Sequence, residues 1–167
     1  MEFEKSPLVF TNFPLPPSDN NIKIPIKRFK KNSEGGAQVL SFCKTRAYQT
    51  FERDVQIWSM HLRDGLYNAR NDVSGWISQK YFLGMHVEFS FPQNKFFSKD
   101  FNPLRWDQTN RLKALHDALS RLLLFDDSFL FQTSSHKSIS TTQNISIWLG
   151  PVNVYGLDRD AANFIDI

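Results

Sequence analysis

The block RWDQTNRLKALHDAL, residues 105–119, sets an acid, an amide, a lysine and a second acid along what reads as one face of a helix. At ~100° per residue, Asp107, Asn110, Lys113 and Asp117 fall on one side, while Leu112, Leu115, Ala118, Leu119, Leu122 and Leu123 gather on the other. A few residues later, LFDDSFL puts Asp126 and Asp127 side by side between apolar neighbours. Oxygen ligands of this kind suit Mg²⁺, which binds carboxylates and keeps several waters. Asp107 with Asp126 or Asp127 could hold such an ion only if the strand after the helix returns beside the helix start. Lys113 could then steady a phosphate or its developing charge. A plainer reading stands beside this one. Asp is a preferred N-cap where the helix dipole favours an anion, and Asp-Asp after a leucine run is a common way to turn out of a helix.

Recognition of a polyanion is the second chemistry within reach. The stretch KIPIKRFKK holds Lys23, Lys27, Arg28, Lys30 and Lys31 with no acid, whereas the last ten residues carry Asp158, Asp160 and Asp166 against Arg159. This asymmetry, within a net charge of +3, suits a polyanionic partner for the N-terminal third; an ordinary solvated loop explains the run equally well. In PQNKFFSKDFNPLRW, Phe96, Phe97, Phe101 and Trp106 alternate with Lys95, Lys99 and Arg105. These rings either pack beneath a loop or wedge against unstacked bases, with the cations on phosphates. Other chemistries lack support. His61, His86, His116 and His136 show no ligand spacing along the chain, and His116 reads as a surface residue of the helix. Cys43, the single cysteine, excludes an internal disulfide and a thiolate zinc cage, and reads as a small buried side chain. Ser18 has no nucleophile elbow around it, and Gly35-Gly36 is not followed by the Lys-Ser or Lys-Thr of a nucleotide loop.

The elements that must position these residues follow from periodicity. PLVFTNFPL reads as a strand halted by the turn formers of PLPPSDNN, and KNSEGGAQ reads as a loop around Gly35 and Gly36. From about Thr45, Tyr48, Phe51, Val55, Trp58 and Leu62 recur at spacings of three and four, which predicts an amphipathic helix. RDGLYNARNDVSGWISQKYFLG has no clear period and reads as loop with a short element around Trp76. MHVEFSF alternates, with Met85, Val87, Phe89 and Phe91 on one face and His86, Glu88 and Ser90 on the other, the pattern of a half-buried strand. SFLFQTSS and NISIWLG predict two further strands after the second helix. The order strand, helix, strand, helix, strand, strand describes a single small α/β domain. A chain of 167 residues with 41% hydrophobic content has the length and apolar share to fold as one globular unit rather than remain disordered. No segment approaches the ~18 uninterrupted apolar residues of a membrane span, and MEFEKSPLVF makes a poor signal peptide. A reducing, intracellular location is the expectation.

Four features occur together and in order: PPSDNN after a first strand, a helix bearing RAYQTF, the block RWDQTNRLKALHDAL, and LFDDSFL. In this the chain resembles the RusA family of Holliday junction resolvases, whose members run Pro-Pro-Ser-Asn-Asn, a helix, Asp-x-Asp-Asn-x-x-Lys-x-x-x-Asp-x-Leu, then Asp-Asp. The resemblance covers about residues 8–150 and leaves the tail 151–167 without a role. It implies a mixed β-sheet packed by two main helices, and a homodimer that binds four-way DNA junctions in recombination and repair. It further implies cleavage by Mg²⁺-dependent hydrolysis, with Mn²⁺ as a substitute, in the cytoplasm of a prokaryote or from a phage gene. Carried over by position, Asp107 matches the first acid of the family's pair, Asn110 its following Asn, Lys113 its Lys, and Asp117 the helix Asp. Asp127 matches the third catalytic acid and Asp126 its neighbour. The resemblance thus casts Asp107, Asp127 and Lys113 as catalytic, Asp107, Asp127 and Asp126 as metal ligands, and Thr109, Asn110 and Asp117 as supporting. Lys27, Arg28, Lys30, Lys31, Lys95, Lys99 and Arg105 are the DNA-binding candidates. One departure divides two outcomes: Thr109 stands where the family has its second acid, and a hydroxyl brings no negative charge to a metal. Either Asp126, Glu88 or Asp100 substitutes and the chain is a nuclease, or it is a DNA-binding or scaffold module with weakened chemistry.

Overall fold

A computed structural model describes residues 1–17, 23–29, 38–104, 106 and 108–153, with the backbone alone for 23–29, 38–43 and Asn110. Along these residues the chain runs β1 (Leu8–Phe10), β2 (Lys23–Phe29), β3 (Gln38–Lys44), α1 (Arg46–Met60), α2 (Arg63–Ser78), β4 (Phe82–Phe91), α3 (Gln108–Leu123), β5 (Leu130–Ile139) and β6 (Asn144–Val152). A mixed four-stranded sheet has the order β1-β6-β4-β5, and β2 pairs with β3 in a separate antiparallel ribbon. The α/β class expected from the sequence is what forms.

Strand alternation places the core. Leu83, Met85, Val87, Phe89 and Phe91 of β4 are buried on one face, and Ile145, Ile147 and Leu149 of the antiparallel neighbour β6 join them. Three helices cover that face. Tyr48, Phe51 and Val55 come from α1, Ala69, Val73 and Trp76 from α2, and Ala114, Leu115, Leu119 and Leu123 from α3. His86, Glu88 and Ser90 of β4 point the other way and are half-buried.

Two sequence expectations need correction. Residues 63–78, read as loop with a short element around Trp76, form the helix α2, so three main helices pack the sheet rather than two. Gly65, Gly75 and several Asn and Asp residues dilute its helix propensity, but Leu66, Ala69, Val73 and Trp76 recur every three or four residues and pack against the core. Part of the basic run, Lys23–Phe29, is strand β2 rather than loop; Lys30, Lys31, Gly35 and Gly36 lie outside the described residues.

The sheet also decides where α3 points. β5 pairs with β4 in parallel at the sheet edge, Leu83 opposite Leu130 at one end and Phe91 opposite Ile139 at the other, with a register shift after Leu83 that leaves Phe131 without a partner on β4. Parallel strands need a crossover, and α3 provides it by running back along the sheet. It begins where β4 ends and finishes where β5 starts. There Leu124 takes a left-handed φ of 59°, and the Phe125 N–H donates to the Ser120 carbonyl at 3.1 Å, closing the helix in a Schellman turn.

Two substitutions test this account by urea unfolding. Leu119→Ala, at a fully buried site, is expected to lose ~2–5 kcal/mol. Leu124→Gly, at an exposed left-handed site, is expected to gain up to ~1 kcal/mol by relieving Cβ strain.

Candidate functional site

At the start of α3, Trp106 sits among Phe89, Phe91 and Phe96, its ring centre 4.9 Å from that of Phe91 and 5.5 Å from that of Phe96. The Arg111 guanidinium lies over the Trp106 ring at 4.2 Å and donates to the Pro16 carbonyl. One side chain therefore ties the first turn of α3 to the Pro16-Pro17 segment. A cleft of about 500 Å³ opens beside it, lined by Leu15, Pro16 and Pro17, by Arg46, Ala47, Thr50, Phe51 and Asp54 of α1, and by Arg111. Three of the four segments that carry the family resemblance meet here: the Pro16-Pro17 segment, the RAYQTF helix and the start of the RWDQTN helix.

The electrostatics of this cleft favour an anion. α1 opens on it, with Thr45 Oγ1 accepting from the Tyr48 N–H at 3.3 Å as an N-cap, and helix N-termini carry partial positive charge. Arg46 and Arg111 in the cleft wall outnumber the single acid Asp54. Outside the lining, Trp106 Nε1 and Gln108 Nε2 are buried N–H donors with no acceptor among the described residues. Each such donor costs about 1–3 kcal/mol until an acceptor meets it.

The tandem acids stand at the other end of α3. Asp126 Oδ1 accepts from the Ser128 N–H at 2.8 Å and caps the short turn Asp127–Phe129; its hydrogen bonds with Ser128 hold this carboxyl below the usual carboxylate range. The plainer reading of the tandem acids, a turn out of the helix, is what Asp126 forms. Asp127 is exposed, and its charge reaches His116. His116 is half-buried and 3.2 Å from Thr133 Oγ1, so it is not the surface residue its position on the helical wheel suggests. From Gln108 to His116 is already ~12 Å along the helix, whereas oxygen ligands sit ~2.1 Å from Mg²⁺. The strand after the helix does run back to the end where the helix starts, with Ile139 opposite Phe91, but the tandem acids precede that strand and stay at the helix's far end. Within one chain, Asp127 and an ion at the start of α3 do not meet.

The remaining candidates divide as follows. Asp107, Arg105, Lys30 and Lys31 lie outside the described residues; Lys27, Arg28 and Asn110 are described by backbone only. Thr109 and Lys113 are exposed on α3, and Asp117 is half-buried, its charge felt by His116, Tyr48 and Arg121. Glu88 lies on the sheet face away from α3, so it cannot take the place of an acid at the helix start; Asp100 is exposed in the connection after β4. Among the described residues, no group of three or more His, Cys, Asp or Glu side chains is set to hold a metal ion.

The aromatic connection separates into two kinds of residue. Phe96 is buried and Phe97 packs against the core with Trp106, as the packing alternative expects. Phe101 is 71% exposed with φ at 60°, and Leu104 is exposed beside it. Lys95 and Lys99 are also exposed, and Lys99 shares a second cleft of about 420 Å³ with Phe97 and Phe101. Sequence reasoning passed over Arg46, Asp54 and Arg111. The signal for Asp54 and Arg46 was their spacing on α1 from Thr50; Arg111 had none, because its role depends on a carbonyl ninety-five residues earlier.

No known protein-family model matches this chain, and no curated protein is significantly similar to it. No helix among the described residues is long and apolar enough to cross a membrane.

Burial pushes the His116 imidazole below its ordinary 6.5, against the opposing charges of Asp117 and Asp127. The unfolded chain therefore binds the proton first, and stability is lost as pH falls below ~6.5 towards the folded value. His116→Gln is expected to flatten that acid-side loss in urea midpoints measured from pH 7.5 to 5, relative to the parent.

Proposed function

We propose that this chain binds branched DNA, four-way junctions in particular, through the cleft at the starts of α1 and α3. The observation that carries the reading is the Arg111 bridge between Trp106 and Pro16, which gathers three resembling segments around one anion-favouring cleft. Arg46 and Arg111 supply fixed positive charge, and two helix starts add to it. The exposed Lys95, Lys99 and Phe101 extend the surface towards phosphates and unstacked bases. A homodimer, carried over from the resemblance, would present two such surfaces to a two-fold substrate.

Affinity for a four-way junction is expected to exceed that for linear duplex and to fall steeply with salt, as measured by gel shift or anisotropy. Arg46→Ala, at an exposed position, is expected to weaken junction binding and reduce the salt slope by about one. Equal affinity for both DNA forms removes the junction claim, and a flat salt response removes the phosphate contacts.

Mg²⁺-dependent cleavage is the second reading, favoured by one observation: Asp54 lies in the cleft wall, where an ion near the start of α3 would find a carboxylate. Asp107 is the acid that the resemblance adds. Asp127 would join them only from a second subunit, because in its own chain it follows the opposite end of α3. Cleavage is expected to require Mg²⁺ or Mn²⁺ and to vanish in Asp107→Asn while junction binding persists. A mixture of Asp107→Asn and Asp127→Asn proteins is expected to regain part of the activity if subunits share the site. Metal-independent cutting would overturn this second reading and leave the binding one intact.

A further inference from the structure

Away from the cleft, two histidines fifty residues apart in the chain meet on the sheet face that points away from the helices. His86 lies opposite Ser134 and Glu88 opposite His136 in the β4–β5 register, which makes the two imidazoles diagonal neighbours. Their ring centres are 5.0 Å apart at 29°, and His86 Nε2 lies 3.0 Å from His136 Nδ1. Two nitrogens bound to one ion at ~2.0–2.1 Å, at angles near 90–110°, are roughly 2.8–3.4 Å apart. The observed 3.0 Å, an N–H···N hydrogen bond in the metal-free chain, falls within that range.

The far nitrogen of each ring is also held. His86 Nδ1 is 2.7 Å from Ser134 Oγ, and His136 Nε2 is 3.5 Å from Glu88 Oε1. A hydroxyl or carboxylate on the distal nitrogen is what fixes the tautomer and aim of a metal-binding imidazole. Glu88 is itself anchored: hydrogen bonding to Ser138 first, with the His136 charge and bonds to Ser90 and His136 adding, keeps its carboxyl below the usual range despite burial. Trp148 walls the site, its ring 5.4 Å from His86. The ring of His136 remains half-exposed, so an ion can reach the pair from solvent.

We propose that His86 and His136 bind one borderline divalent transition-metal ion of the Zn²⁺ class, with Ser134 and Glu88 as positioning residues and water in the remaining coordination positions. Binding displaces the proton that the two near nitrogens share; in the neutral pair it moves to the distal nitrogen of the ring that carried it, so that both distal nitrogens are N–H and both near nitrogens are free for the ion. Imidazole nitrogens suit Zn²⁺, Cu²⁺ and Ni²⁺, whereas Mg²⁺ prefers oxygen, so this site is chemically distinct from any Mg²⁺ requirement at the cleft. It stands whether or not the chain acts on DNA.

The test is calorimetric titration of the metal-stripped full chain with Zn²⁺ and, separately, Mg²⁺, alongside NMR of the histidine ring protons. One saturable Zn²⁺ per chain is expected, with His86 and His136 resonances shifting and those of His61 unmoved; Mg²⁺ should shift neither pair member. His86→Gln and His136→Gln should each weaken Zn²⁺ binding more than tenfold, and Glu88→Gln by roughly ten- to a hundredfold. His61→Gln, at an exposed position, should leave it unchanged. If His86→Gln fails to fold, the half-exposed His136 still gives a clean variant. No saturable Zn²⁺ uptake, or uptake that survives His136→Gln at full affinity, overturns the proposal.

Discussion

Two parallel strands can be joined only by a crossover long enough to carry the chain back along the sheet. In this fold α3 is that crossover, and its sixteen residues set the distance between everything placed at its two ends. Trp106, Gln108 and Arg111 belong to the end where β4 finishes; Asp126, Asp127 and the Schellman turn belong to the end where β5 begins. Burial of Ala114, Leu115, Leu119 and Leu123 against the sheet holds the helix in that direction. Tilting it enough to bring the ends together would expose this entire stripe, at ~2 kcal/mol or more for each large side chain.

The chemistry therefore distributes over three regions instead of one. A cleft with two arginines in its wall forms where α1, α3 and the Pro16-Pro17 segment converge. A capped, solvent-facing pair of acids closes the crossover. A polar patch with its own histidine pair covers the outer sheet face. Charge assignments differ accordingly: Asp126 is spent on a local turn, whereas Glu88 is aligned by three neighbours on β4 and β5.

Much of this was legible in residue order, and the gaps have physical causes. α1, β4, α3 and β6 could be read because each buries one face at a regular period, Tyr48–Phe51–Val55 at helical spacing and Met85–Val87–Phe89–Phe91 at strand spacing. α2 was missed because Gly65, Gly75 and the Asn and Asp residues hide its stripe, and its stability comes from packing that no local pattern reports. The leucine stripe of α3 was clear, yet the direction of the following strand was not: parallel and antiparallel returns leave the same local sequence. His86 and His136 carried no along-chain motif because their nearness arises from strand pairing alone. The wedge candidates were only partly separable. Phe96 and Phe101 are both phenylalanines beside lysines, and burial alone sends one into the core and the other into solvent.

The register shift after Leu83 has a consequence for how the sheet edge meets other chains. β5 borders the four-stranded sheet, a ten-residue ribbon with Phe131 and Ile139 turned outward. A straight border of that length is a template on which a foreign chain can zip up backbone to backbone. The register shift near its beginning, where Phe131 has no partner on β4, interrupts the even ladder, while Lys137 adds charge farther along. Selectivity against self-adhesion is thus written into the same ladder that sets the histidine pair side by side.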